Sequence, residues 1–88
     1  MSKPYLEITY RQGKPFAAYL YLARQPGDRS VRTERRGRFL IDFADDGRPI
    51  GIEFTSPHGI DAATVNRVLA DVDAAALPAA DLAPLTAA

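Results

Sequence analysis

The chain has 88 residues, 47% hydrophobic and 25% charged, which leaves room for one ordinary domain and excludes a disordered or collagen-like polymer. Eleven basic side chains balance eleven acidic ones, so the total charge gives no support to wholesale coating of a polyanion. The lack of cysteine removes a disulfide scaffold, a thiol nucleophile and a thiolate zinc site from consideration.

From the N-terminus, Tyr5 to Gln12 alternates, with Leu6, Ile8 and Tyr10 on one face and Glu7, Thr9 and Arg11 on the other. That is the period of a half-buried strand. Gly13-Lys14-Pro15 interrupts it, and Phe16 to Ala23 alternates again, setting Phe16, Ala18, Leu20 and Leu22 against Ala17, Tyr19 and Tyr21. A hairpin follows, with a three-residue loop and Tyr10, Ile8 and Leu6 facing Ala18, Leu20 and Leu22. Pro26-Gly27-Asp28 marks a turn, and Ser30 to Arg36 reads as a charged edge strand.

Arg38 to Ala44 and Pro49 to Thr55 form a second hairpin around Asp45-Asp46-Gly47-Arg48. Pairing Phe43 with Ile50, Ile41 with Ile52 and Phe39 with Phe54 collects six large apolar residues on one face, leaving Asp42 across from Gly51 and Glu53 across from Leu40. Beyond Ser56-Pro57-His58-Gly59 the period becomes helical at Val65, Val68, Leu69, Val72 and Ala76, with Asp61 as cap and Pro78 as stop. The expected fold is therefore α+β: an antiparallel β-meander of about five strands in two hairpins, with one C-terminal amphipathic helix packed on the sheet. Residues 1–77 form the domain, and 78–88 an Ala- and Pro-rich tail whose Leu82 and Leu85 are candidates for contact with a partner chain.

Few residues carry chemistry. Asp42 and Glu53 are diagonal carboxylates, and acid–base work would need burial or close approach to separate their pKa values. His58 has only Asp61 as a nearby oxygen ligand, and Ser56, His58 and Asp61 lack the strand-to-helix elbow of a nucleophile, so no catalytic residue, metal site or cofactor is expected. Charge is divided along the chain. Residues 1–41 carry nine basic and three acidic side chains, net +6, and residues 42–88 two basic and eight acidic, net −6. Arg24, Arg29, Arg32, Arg35, Arg36 and Arg38 make the densest basic run, which could grip nucleic-acid phosphates while Tyr19 and Tyr21 stack on bases. The same two-signed pattern suits self-association.

Ile8-Thr9-Tyr10, Ala18-Tyr19-Leu20-Tyr21-Leu22, Arg32-Thr33-Glu34, Ile41-Asp42-Phe43, Asp46-Gly47-Arg48 and Gly51-Ile52-Glu53 together resemble the YuzE-like family of small bacterial proteins, over about Tyr5 to Phe54. Asn66-Arg67-Val68-Leu69 resembles a helix that some members append. Arg11 and Phe16 depart from the family, whose members usually carry acidic residues beside the first turn. The resemblance implies a small β-rich fold and, through neighbouring genes that resemble ribonuclease-type toxins, an antitoxin-like or partner-binding role. The functional expectation is a non-enzymatic protein-interaction domain, homo-oligomeric and most simply dimeric, with Tyr19 and Tyr21 on its contact face. No apolar run reaches the ~18 residues of a membrane span, and Met1 to Lys14 lacks the apolar stretch of a signal peptide, so a cytoplasmic setting without a membrane partner is expected.

Overall fold

A computed structural model describes residues 3–88. Strands β1 (Tyr5–Arg11), β2 (Lys14–Tyr21), β3 (Arg32–Arg36), β4 (Phe39–Phe43) and β5 (Pro49–Phe54) precede helices α1 (Ala62–Asp71) and α2 (Ala79–Thr86). All neighbouring strands are antiparallel, in the order β1-β2-β5-β4-β3. Strands β3 to β5 are a meander, but β2 joins β5 rather than β3, so the chain between β2 and β3 runs to the far edge of the sheet. The tyrosines of β2 therefore do not adjoin the arginine strand.

The second hairpin has the expected register at Phe39–Phe54 and Ile41–Ile52, with Asp42 facing Gly51. It departs only at its end, where an irregularity after Asp42 pairs Phe43 with Pro49 instead of Ile50. In the first hairpin Leu6 faces Leu20 and Ile8 faces Ala18, a slip of two residues from the expected pairing. A two-residue slip leaves every side chain on its original face, so hydrophobic pattern cannot detect it. Its cause is the loop: Gln12 and Gly13 both take positive φ, 53° and 76°, and close a two-residue turn between Arg11 and Lys14. A shift between Thr9 and Tyr10 then accommodates Phe16 as the extra residue of β2.

Ala18, Leu20, Leu22, Phe39, Ile41, Phe43, Ile52 and Phe54 form the buried floor of the core, and Val65 and Leu69 of α1, with Val72 at its C-cap, cover it. The Asp61 carboxylate caps that helix by accepting the Thr64 N–H at 2.7 Å. The helix stops at Asp71 rather than continuing past Ala76. Asp73, at φ 59°, turns the chain, while the N–H groups of Asp73 and Ala74 return to the carbonyls of Ala70 and Leu69.

Two helices, not one, follow the strands. The segment expected to be a tail forms α2, and Leu82 and Leu85 are fully buried in their own chain's core. They are unavailable as partner contacts. Burial of these leucines overrides the local cost of Pro84, which lacks an N–H for the helix ladder. Asn66 holds the approach to α2 by accepting the Leu77 N–H at 2.8 Å and donating to its carbonyl at 3.1 Å. No helix among the described residues is long and apolar enough to cross a membrane.

Candidate functional site

Both helices lie on one face of the sheet, and the opposite face carries a polar and aromatic layer. Its centre is Gly51, where a Cβ would overlap the Tyr19 ring and hydroxyl. Glycine on β5 therefore lets Tyr19 cross from β2 and donate its hydroxyl proton to Asp42 Oδ2 at 2.6 Å. Thr33 donates to the other oxygen of Asp42, also at 2.6 Å, and Arg24 Nη2 donates to the Tyr19 hydroxyl at 3.3 Å. Burial, reinforced by the Asp42 carboxylate, pushes the Tyr19 phenol well above its ordinary value. It is therefore neutral at physiological pH and suited to holding Asp42.

Tyr21 packs edge-on against Tyr19 at 4.6 Å and stacks on Tyr5 at 4.4 Å between ring centroids. Its hydroxyl donates to Glu7 at 3.2 Å, and desolvation followed by the Glu7 charge raises its pKa. The Arg24 guanidinium lies 5.2 Å from the Tyr21 ring. Thus Tyr19 and Tyr21 are half-covered by their own chain, and Tyr5, 55% exposed, is the outermost ring of the row. Tyr10 and Phe16, 61% and 47% exposed, lie nearer the first turn of the same hairpin, Tyr10 on the opposite parity of β1 from Tyr5, with Arg11 over Phe16 at 4.0 Å. These three residues are absent from the contact set read from sequence. The signal for Tyr5 was its equal parity with Glu7 on β1, which places it beside Tyr21.

The six arginines are dispersed. Arg32 and Arg36 share Glu34 on one face of β3, and Arg32 also lies over Phe43 at 4.1 Å. Arg35, on the other face, donates to the Gly37 carbonyl. Arg38 donates to the carbonyls of Ser56 and His58 at 2.6 and 2.8 Å, tying β4 to the chain leading into α1. Arg24 also bonds the Ile50 carbonyl, at 3.1 Å. Arg29 lines a cleft of about 520 Å3 between the chain leading to β3 and the β4–β5 turn. Arg48 also lines that cleft and binds Asp28 at 2.7 Å and Asp46 at 2.6 Å; its hydrogen bonds lower the pKa of both carboxyls. The arginines thus serve mainly as internal fasteners on several surfaces.

Asp42 and Glu53 occupy the diagonal positions expected, but both oxygens of Asp42 already accept hydrogen bonds. Asp61 is engaged at the α1 cap, away from a Ser56–His58 arrangement. Among the described residues no three His, Asp or Glu side chains gather as a metal site.

What remains is the contrast between the sheet edges. β1 has seven residues with one charge of each sign, and among the described residues no strand pairs with its outer side. β3 has five residues, four of them charged. Compared with family models, curated proteins and solved structures, the chain matches none.

Proposed function

We propose that this domain is a non-enzymatic protein-interaction module that works as a homo-oligomer, most simply a dimer, through the β1 side of its sheet. One observation carries the reading: of the four exposed large apolar side chains among the described residues, Tyr5, Tyr10 and Phe16 lie on the first hairpin, next to an unprotected edge. Tyr5 and Tyr10 differ in parity along β1, so exposed apolar surface borders that edge on both faces of the sheet, and such surface gathered at one edge marks an interaction site. Tyrosine suits such a surface because it combines a large apolar ring with a polar tip. A chain of 88 residues also has a thin core, which association would supplement. The antitoxin-like role implied by the YuzE-like resemblance is one form this interaction would take.

Sedimentation velocity tests the reading. The purified protein is expected to sediment as a dimer at micromolar concentration, and Tyr5→Glu/Tyr10→Glu as a monomer with an unchanged far-UV circular dichroism spectrum. A wild-type monomer would overturn it.

A further inference from the structure

We infer that the β1 edge binds the β1 edge of a second copy of this chain, antiparallel about a two-fold axis at Thr9, so that the two sheets become continuous. This rests on the interaction reading above and adds to it the edge, the partner and the register.

The choice of edge follows from charge. Like charges directly opposite each other destabilise a strand pair, and four of the five residues of β3 are charged. β1 has only Glu7 and Arg11, and its Leu6 and Ile8 are half-buried on the side covered by α2. It also carries no inserted residue, because the extra residue at the Thr9–Tyr10 shift belongs to β2.

The register follows from self-complementarity. A symmetric antiparallel pair that keeps both apolar faces on one side must match residues of equal parity. A two-fold axis at Glu7 would set two carboxylates face to face. An axis at Ile8 leaves Glu7 opposite the partner's Thr9, with its charge unmatched. At Thr9, Glu7 faces the partner's Arg11 and Arg11 faces the partner's Glu7, while Ile8 meets the partner's Tyr10 and Thr9 meets its own equivalent. Charge complementarity thus selects a second copy as occupant and Thr9 as centre. Tyr10, now 61% exposed, and the half-buried Ile8 would cover one another across the seam.

Charge reversal with rescue supplies the test. Glu7→Arg and Arg11→Glu should each weaken the dimer at least about tenfold, and the double variant Glu7→Arg/Arg11→Glu should restore it. Four residues along a strand span about 13 Å, so restoration can arise only across the interface. Because the chain has no cysteine, Thr9→Cys should also be captured as a covalent dimer by a short bismaleimide, and Thr33→Cys on β3 should not. A wild-type dimer that shows neither rescue nor Thr9→Cys capture overturns this pairing and leaves the interaction reading standing. A monomeric wild type removes both, and capture through Thr33→Cys would assign the contact to β3.

Discussion

At one edge of the sheet, β3 presents Arg32, Glu34, Arg35 and Arg36 within five residues; at the other, β1 presents Tyr5, Leu6, Ile8, Thr9 and Tyr10 with only Glu7 and Arg11 as charges. Both are terminal strands of the same antiparallel sheet. Their difference shows that edge protection is applied selectively: the charged strand resists pairing, whereas the aromatic strand retains the groups that pairing needs. Support from below differs as well. α2 packs on β1, so that edge is held by the last helix of the chain, and β3 is held chiefly by β4 and the Arg32 stack on Phe43.

The largest test removes that support. Leu82→Ala should destabilise the domain by about 2–5 kcal/mol in urea unfolding, the range for truncating a buried leucine. Hydrogen exchange should then accelerate in β1 more than in β3. Equal acceleration at both edges would show that α2 does not buttress β1 selectively.

A smaller effect is expected midway between the edges. Gly51→Ala places a methyl group where the Tyr19 ring lies and should cost about 1–3 kcal/mol, as overpacking does. The tyrosine near-UV circular dichroism should change with it, since Tyr19 must leave Asp42 and disturb Tyr21. An unaltered signal would mean that Tyr19 has another resting place on the sheet. Smallest is Glu34→Gln on β3, expected to shift stability by no more than about 0.5 kcal/mol because its ion pairs are solvent-exposed. The variant should not gain a tendency to associate, since three arginines still guard the strand; new aggregation would mean that Glu34 alone provides the protection.

Legibility from sequence varied in the same physical terms. The register of the second hairpin was readable because Phe39, Ile41, Ile52 and Phe54 leave one way to bury large side chains together. The first hairpin was readable as to faces only, since the positive φ of Gln12 carries no strong sequence signal. α2 was hidden by its composition: Pro84 and repeated alanines suggest fraying, and only the tertiary burial of Leu82 and Leu85 explains the helix. At the candidate site, Asp42 and Glu53 fell where alternation placed them. The Tyr19–Asp42 bond did not, because it requires β2 beside β5, an adjacency that local periodicity does not encode.

That adjacency bears on how the molecule folds. Each hairpin can form from near neighbours, but Ala18 meets Phe54 only after the chain forming β3 and β4 has been gathered into place. Pairing across so long an intervening segment is entropically slow compared with hairpin closure. The docking of β2 on β5 is thus expected to be slower than the closure of either hairpin. Tyr19 lying over Gly51 sits on that seam, so contacts valued in the folded state for anchoring Asp42 also belong to the step by which the two halves of the sheet become one.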